Sequence, residues 1–534
     1  MNAQKKFPLI GLLLVSLMIQ SCIKDNDFDY DKIAASTWNP DVAVPLIHSS
    51  LTIQDIIASG DSNIVAIDSN HLVSLIYRGK IYSISGNELF QFSDQTDNTP
   101  FTFNSSDSST LYSTNVLTKT IPKTTSFSFP GTEQIDSMNI KSGTLEIEIR
   151  STVPHSGTMN ISIPSLTFNG TALSFTVPFT ASTGSQVIKI DSTLLGGYLF
   201  DLSSSGTSNN FGLTYVTTLT NTGTTLSMTN RNIDVAARFR NIKFSSVFGY
   251  LGVHTIDLIE DSSRITLFDN FQSGSMYFED PKMTFTMSNS FGLPIDAHVS
   301  SFAALRPNGT SVPITGSIPD PLPISYPLIA GETSSSNFVL DKTNSNIQFV
   351  ISQAPRYIVY TLNASSNIPS VPINFLTDSS RLNADIQIDF PLRGYASNFT
   401  VMDTANFSLE RIDEIESAVF RINIDNGFPA RAFTQIYFTD SNYVLLDSML
   451  LDPSNILVES AEIDANGRVI RSTHRTGDEP FNKARIEHLY NAKKLLIVSV
   501  IDTKDSPTRN VEIYDSYKLD VRIGVRAQLN VKFQ

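Results

Sequence analysis

Cysteine, tryptophan and positive charge are all scarce in this chain of 534 residues. Its one cysteine, Cys22, cannot form a disulfide within the chain. Glycan-binding surfaces commonly stack sugars on exposed aromatic rings, tryptophan above all. Because Trp38 is the one tryptophan of the chain, a glycan-binding surface is less expected. With 38 Lys and Arg against 52 Asp and Glu, the net charge is −14. That balance argues against nucleic acid or anionic lipid headgroups as partners, since both need clustered Lys and Arg.

Recognisable catalytic motifs are missing as well. None of the seven histidines stands in HxH or HExxH spacing, so a metal site would need distant residues to converge. The chain has no GxSxG elbow, no P-loop and no GxGxxG followed by a helix. We therefore assign no catalytic residue, no metal ligand and no cofactor, and predict that the protein is not an enzyme. An unrecognised hydrolase or a glycan-binding protein is an alternative.

The N-terminus has the three parts of a secretory signal. Two lysines precede the apolar run Phe7–Ile19, and the small residue Ser21 follows just before Cys22. The run is too short for a membrane-spanning helix. The residues Ile19-Gln20-Ser21-Cys22 resemble the lipobox of bacterial lipoproteins. The resemblance implies cleavage after Ser21 and a covalent lipid on the sulfur of Cys22.

A short charged segment follows Cys22. Its charged residues are Lys24, Asp25, Asp27, Asp29 and Asp31. Such a turn-rich stretch cannot bury a core, which predicts a solvated tether. It lacks the glycine turn and closing glutamate of an EF-hand loop. It resembles the acidic export signal of surface lipoproteins of Bacteroidota, which implies exposure at the outer-membrane surface. Retention on the periplasmic face is the alternative.

The composition favours a β protein of several domains. Hydrophobic residues make up 41% of the chain and charged residues 17%, so buried cores are expected. Ser, Thr, Asn and Asp are abundant and Lys is scarce, which is typical of strands and turns rather than helices. Roughly 510 mature residues exceed one domain and suggest about three.

An internal repeat supports that count. Each copy alternates apolar and polar residues, passes through a turn that ends in an apolar residue and proline, and alternates again. The copies are 144–163 with Pro154, 282–302 with Pro294, and 419–438 with Pro429. Period-two alternation places the apolar side chains on one sheet face. Further alternating stretches follow each copy, at Ile233–Phe239, Leu382–Phe390 and Leu519–Phe533.

The strand, Asn-rich turn and apolar-Pro pattern is similar to the LEA type 2 (water-stress) family of immunoglobulin-like sandwiches. The predicted fold is mainly β, with tandem antiparallel immunoglobulin-like β-sandwich modules and a small α+β N-terminal segment. The predicted divisions are signal peptide 1–21, lipidated tether 22–33, N-terminal segment 34–98, and modules 99–250, 251–395 and 396–534.

Four local expectations complete the prediction of secondary structure. A short helix is expected at Leu51–Ile57 with Ser50 as its cap, and a second near Phe481–Leu489. A hairpin is expected at Leu72–Ile84, turning at Arg78-Gly79-Lys80. The polar stretch Asp94–Ser113 is expected to be a loop or linker.

These features predict a non-enzymatic, lipid-anchored cell-envelope protein at the outer-membrane surface. Its membrane contact would be the lipid on Cys22, and its β-modules would bind a protein partner in the outer membrane or an extracellular ligand. Loops and sheet edges would do the binding. The main alternative is a periplasmic lipid-handling lipoprotein, in which long strands such as Leu519–Phe533 line an apolar groove.

Overall fold

The computed structural model describes residues 37–57, 65–182, 184–203, 206–224, 226–257, 261–451 and 458–532. Strands make up 60% of the structure and helices 8%, which confirms the predicted mainly β fold of tandem sandwiches. The elements before residue 103 are β1 (Thr37–Trp38), β2 (Asp41–Thr52), α1 (Ile53–Ile57), β3 (Val65–Ile67), β4 (Val73–Ser85), α2 (Gly86–Leu89) and β5 (Gln95–Thr102).

The next elements are α3 (Ser105–Thr114), β6 (Val116–Ser126), β7 (Gln134–Ser151), β8 (Ser156–Phe168), β9 (Thr171–Phe179), β10 (Gln186–Leu194), β11 (Leu199–Asp201), β12 (Asn210–Thr220) and β13 (Asn232–Tyr250). With β5 they form the first sandwich. One sheet has the order β5-β13-β7-β10 and the other β6-β12-β8-β9, while β11 pairs with both β7 and β8.

The middle of the chain contains β14 (Thr255–Asp257), β15 (Asp261–Arg264), a 3-10 turn (Thr266–Phe268), β16 (Phe271–Phe278), β17 (Lys282–Asn289), β18 (Ile295–Leu305), β19 (Ser311–Pro313), β20 (Ser334–Leu340), α4 (Ile347–Ser352), β21 (Tyr357–Ser366), β22 (Asn374–Thr377) and β23 (Arg381–Pro391). In the second sandwich, the sheet β20-β17-β23-β4-β3 faces the sheet β14-β21-β18-β19, with β15 also on β21.

The last elements are β24 (Arg393–Asn406), β25 (Ile415–Asn426), β26 (Ala430–Thr439), β27 (Leu445–Ser448), β28 (Glu462–Ile463), β29 (Val469–Arg471), β30 (Thr473–Asn482), α5 (Lys483–Asn491), β31 (Lys494–Thr503), β32 (Val511–Glu512), β33 (Lys518–Leu529) and β34 (Val531–Lys532). The third sandwich packs the sheet β2-β33-β25-β30 against the sheet β16-β24-β31-β26-β27, with β32 on β24.

The repeated segments occupy the same place in all three sandwiches. In each copy the chain leaves one sheet, passes the proline and enters the facing sheet, as β7 to β8, β17 to β18, and β25 to β26. The first strand of each copy pairs antiparallel with the alternating stretch that follows it much later, β13, β23 or β33. The third of these stretches forms two strands, β33 and β34. It is interrupted at Asn530, whose N–H donates to the carbonyl of Glu414.

The segment 34–98 differs from the separate α+β segment expected from the sequence. Its long strands are distributed among the sandwiches in reverse order, with β2 on β33 of the third, β4 on β23 of the second and β5 on β13 of the first. Two later strands also cross between sandwiches, because β16 pairs with β24 and β22 pairs with β13. Each sandwich therefore contains strands from distant parts of the chain, an arrangement that we call strand exchange.

The predicted hairpin at Leu72–Ile84 is wrong, because this stretch forms the single strand β4. Val73, Leu75 and Tyr77 are buried, and Gly79 continues the inward alternation. A Cβ on residue 79 would overlap the Ser263 hydroxyl of β15. Gly79 thus permits a close strand approach rather than a turn.

The predicted loop at Asp94–Ser113 is also wrong, because it forms β5 and most of α3. Phe101, Phe103 and Leu111 are buried among apolar side chains. Asp97 also faces the interior of the sandwich, where Lys123 and Tyr215 bind its carboxylate. Although the stretch is polar in composition, one face of it is buried, and the one charged group on that face, Asp97, is paired with Lys123.

The two predicted helices are present. The first begins at Ile53, and its cap is Thr52 instead of Ser50, because the N–H of Asp55 donates to Thr52 Oγ1 while Ser50 lies in β2 and pairs with Asp520 of β33. The second is α5, two residues later than predicted, with Asn482 accepting from the N–H of Arg485.

Candidate binding surfaces

The three repeat turns are buried structural features. Ser151, Asn289 and Asn426 each begin a turn, and each side chain accepts a hydrogen bond from the N–H two residues later. Pro154, Pro294 and Pro429 follow and are all buried. Their carbonyls accept from Thr222 Oγ1, Asn367 N–H and Lys504 N–H respectively. The prolines thus anchor the crossover between sheets and offer no surface to a ligand.

A polar groove lies on the outer face of the first sandwich, over β5, β13 and β7. Its volume is about 450 Å³. Glu148 forms its floor between two arginines, with Arg150 Nε at 2.6 Å and Arg238 Nη1 at 2.9 Å. The hydrogen bonds from Arg150 and Arg238 hold the pKa of Glu148 below its usual range. Asp234 and Asn98 complete a rim rich in donors and acceptors. We call this the first-sandwich groove.

A second polar groove, about 400 Å³, lies on the corresponding sheet of the third sandwich. Gly524 pairs with Pro45 on one side and Arg421 on the other, so the floor carries no side chain between them. Arg421 binds Asp478 through two hydrogen bonds of 2.8 and 2.6 Å. Arg526 is exposed beside them. Neither groove is lined by an aromatic ring, so neither offers a stacking platform for a sugar.

Two apolar cavities within the described residues are small. One lies between the two sheets of the second sandwich, has a volume of about 40 Å³, and is lined by side chains such as Phe285, Phe302 and Leu362. Another, of about 160 Å³, lies where the second and third sandwiches meet, beside Leu75 and Phe399. The first holds about one water volume and the second a small ring, judged from cavities of known capacity.

One arrangement resembles a chain of acid, base and nucleophile. His474 Nδ1 lies 2.7 Å from Asp425 Oδ1, and its Nε2 lies 3.2 Å from Thr476 Oγ1. However, the Thr476 hydroxyl donates to Asn423 Oδ1 at 2.8 Å, and the group sits on an exposed sheet face that does not exclude water. The hydroxyl hydrogen is therefore directed away from His474, and the geometry does not favour nucleophilic attack. Within the described ranges, no three His, Cys, Asp or Glu side chains are grouped to hold a metal ion.

The start of the described chain lies at the free end of the third sandwich. Thr37 and Trp38 of β1 pair with Lys532 and Val531 of β34, and Pro40 accepts from the N–H of Leu529. The predicted cleavage residue Ser21, the predicted lipidation site Cys22 and the tether residues Lys24, Asp25, Asp27, Asp29 and Asp31 lie outside the described residues. Among the residues that the structure describes, no helix is long and apolar enough to cross a membrane.

Comparisons with known proteins give only distant structural likenesses. No family model matches the chain, and no protein with a curated description matches it. A protein of Parabacteroides distasonis described as secreted is 12% identical, covers 53% of this chain and 89% of its own, and has a TM-score of 0.25. The VP2 subviral particle of infectious bursal disease virus is 10% identical over 84% of this chain and 83% of its own, with a TM-score of 0.13. Scores this low carry no functional conclusion, so the resemblances to bacterial lipoproteins and to the LEA type 2 family stay predictions.

Proposed function

We propose that the protein is a non-enzymatic lipoprotein of the outer-membrane surface that binds a partner through its β-sandwiches. The observation that carries the proposal is the pairing of β1 with β34, because it places Thr37, where the described chain begins, at the free end of the third sandwich. A lipid on Cys22 would then hold that end nearest the membrane. The pairing of β22 with β13 joins the second sandwich to the first, and the cluster of Ile53, Val73 and Phe428 joins it to the third, so the second lies between the other two.

This order makes the first sandwich the outermost part. Its groove is lined by charged side chains of both signs, Glu148, Arg150, Asp234 and Arg238. Such a lining suits a polar, charged segment of another protein, since oppositely charged groups across an interface fix its register. We propose the first-sandwich groove as the partner-binding surface.

The lipid-handling alternative receives less support. The apolar cavity inside the second sandwich has about the volume of one water molecule, and an acyl chain needs many times that space. The strand β33 belongs to the stretch Leu519–Phe533, which the lipid-handling alternative needs to line an apolar groove. Its outer face carries Arg522, Gly524 and Arg526. That face is polar and does not suit a hydrocarbon chain.

Cell fractionation tests the anchor. C22S should shift the protein from the membrane fraction to the soluble fraction, because a serine cannot carry the thioether-linked lipid. S21A keeps a small residue before the cysteine and should stay in the membrane fraction. Membrane association of C22S equal to that of wild type would contradict the anchor.

Protease treatment of intact cells tests the orientation. We expect digestion of the wild-type protein without permeabilisation. Replacing Asp25, Asp27, Asp29 and Asp31 by Asn should reduce digestion while leaving membrane association intact. Protection of the wild-type protein until the outer membrane is permeabilised would place it on the periplasmic face.

Crosslinking on cells tests the groove. Arg150 is largely exposed, so R150E should fold and weaken any partner crosslink by reversing one charge of the first-sandwich groove. R526E makes the same change in the groove of the third sandwich and serves as the control. An equal loss with both variants, or with neither, would argue against the first-sandwich groove.

A further inference from the structure

Several loops meet at the end of the third sandwich where the described chain begins. The N–H of Asn530 donates to Glu414, and the hydroxyl of Tyr490 donates to the carbonyl of Ile412. On the facing sheet, the N–H of Phe407 donates to Lys493, and the N–H of Lys493 donates to Thr439. These contacts tie the segment 407–414, the turn 440–444 and the end of α5 to the same end as β1 and β34.

That end exposes a set of large apolar side chains. Its members are Trp38, Leu409, Ile412, Tyr443 and Val444, which are exposed by 58%, 44%, 50%, 47% and 58% respectively. We call them the terminal face. Trp38 is the one tryptophan of the chain. Exposed apolar groups collected at one end of a molecule commonly mark a contact with a partner or a membrane.

The turn that presents Tyr443 and Val444 is firmly built. Asp440 Oδ1 accepts from the N–H of Asn442 at 2.8 Å and from that of Val444 at 2.9 Å. Tyr443 adopts a φ of 63°, in the left-handed region that bulky residues rarely occupy. The turn thus exposes two large apolar side chains, and the left-handed conformation of Tyr443 costs conformational free energy. Such strain is typical of functional positions.

The chemistry of the terminal face fits a bilayer interface. Tryptophan and tyrosine favour the headgroup level, where the ring is partly buried and its polar atom is hydrated. Lys494 Nζ lies 4.3 Å above the Tyr443 ring, and Lys493 next to it is exposed. Lys494 Nζ also donates to the Tyr443 hydroxyl at 3.3 Å, while the exposed Lys493 can lie along apolar surface and keep its ammonium in water.

The length of the preceding chain brings this face within reach of the lipid anchor. Residues 23–36, fourteen in number, separate Cys22 from Thr37. Fully extended, they span at most about 50 Å. A tether of this length keeps the face at a high effective concentration near the bilayer, so that even weak contacts are populated.

We propose that the terminal face lies on the bilayer that holds the lipid of Cys22. The inference rests on the proposed function, because it assumes an anchor at Cys22. The anchor draws the third sandwich to the membrane, and Trp38, Tyr443 and Val444 enter the headgroup region. The contact orients the three sandwiches and directs the first of them away from the membrane.

The test uses the chain from Cys22 to its end, coupled through its one thiol to a maleimide lipid in phosphatidylcholine vesicles. This coupling supplies the anchor whether or not cells attach a lipid. We expect Trp38 emission to shift to shorter wavelength and to be quenched by brominated acyl chains. Y443S/V444S should lose most of the quenching. I470S, at the opposite end of the same sandwich and 65% exposed, should retain it.

Two results would overturn the proposal. Trp38 emission that is unchanged on coupling would mean that the face does not touch the bilayer. A spectral shift that disappears when the coupled protein is diluted on the vesicles would mean that a second copy covers the face instead. Failure of C22S to leave the membrane fraction of cells would contradict the anchor alone, so the two failures are distinguishable.

Discussion

At the scale of single residues, each repeat turn depends on the polar side chain that begins it, and the structure shows that this side chain is buried and hydrogen-bonded. Asn289 and Asn426 occupy the last position of a strand and begin the Asn-rich turn of the sequence pattern. Their side chains replace the strand hydrogen bonds that end there. These hydrogen bonds are needed because a buried backbone group without a partner lowers the free energy of unfolding by about 1–3 kcal/mol.

We expect Asn426→Ala to destabilise the protein by roughly 2–4 kcal/mol. The Asn426 side chain accepts from Phe428 N–H and donates to the carbonyls of Ala430 and Glu459, so alanine removes three hydrogen bonds and leaves the buried Phe428 N–H without this acceptor. Urea unfolding measures the loss. Asn442→Ala, in an exposed turn of the same sandwich, is the matched control and should cost little. Equal costs would contradict the role of the buried side chain.

A second residue-scale prediction concerns Asp97. Burial alone would raise its pKa, but hydrogen bonds from Lys123, Thr125 and Thr99 outweigh burial and lower the pKa below its usual range. The carboxyl is therefore more acidic in the folded than in the unfolded chain. Its contribution to stability is complete above the unfolded pKa of about 3.9 and is lost as pH falls through the lower folded pKa.

We therefore expect Asp97→Asn to cost roughly 1–3 kcal/mol at pH 7, since it breaks charge-assisted hydrogen bonds to Lys123. The cost should shrink as the pH falls below about 4, because the carboxyl of the unfolded chain is protonated there first and that of the folded chain only at lower pH. Urea midpoints at a series of pH values give the comparison, and Lys123→Met completes a double-mutant cycle. A difference in the free energy of unfolding between wild type and variant that stays constant with pH would contradict the lowered pKa of Asp97.

At the scale of elements, the strands before residue 103 complete sheets that are built mostly from later sequence. β4 and β23 pair across about three hundred residues, and Ser83 Oγ donates to Asn383 Oδ1 at 2.8 Å. Strand pairs of such separation are costly to form, because loop closure precedes the gain from contacts. The pairing nevertheless covers a strand edge that would otherwise be open to other chains.

A disulfide tests this pairing. In a C22S background, S83C/N383C should oxidise readily, because residues directly opposite each other on antiparallel strands lie within disulfide range. S83C/Q387C is displaced by four residues, about 13 Å along the strand, and should stay reduced. Thiol titration after mild oxidation distinguishes them. Equal oxidation of both pairs would contradict the observed register.

At the scale of the whole molecule, the cores are not divided as the repeats are. One continuous apolar cluster runs through the first and second sandwiches and includes Phe200 and Ile388. A separate cluster around Phe481 and Phe438 fills the third. A third, small cluster joins Ile53, Val73 and Phe428 where the second and third sandwiches meet. Cooperative unfolding should follow the cores, because contacts shared by two sandwiches are lost together.

We expect calorimetry to show two unfolding transitions, one for the first and second sandwiches together and one for the third. Phe200→Ala and Phe481→Ala each remove a fully buried ring and should cost about 3–5 kcal/mol. Each should lower the midpoint of one transition and leave the other nearly unchanged. If both variants shift a single transition, the strand exchange couples all three sandwiches more strongly than their separate cores indicate.

The amino-acid sequence by itself determined where most strands lie and that three related units follow one another. Alternation and turn residues are properties of neighbours along the chain, and Pro154, Pro294 and Pro429 lie between β7 and β8, β17 and β18, and β25 and β26. Gly79 and Asp97 were misjudged for the same reason, since their roles depend on Ser263 and Lys123, which lie far away in sequence.

Only the tertiary structure decided which strands pair, where the grooves lie and where the described chain begins relative to the sandwiches. The first-sandwich groove draws on β5, β13 and β7, and the terminal face on β1, a loop and a turn from three distant segments. No local pattern encodes such meetings, because strand partners are selected by the burial and hydrogen bonding of the complete sheet. The sequence thus named Cys22 and the tether, and the fold supplied the end of the molecule that they would hold to a membrane.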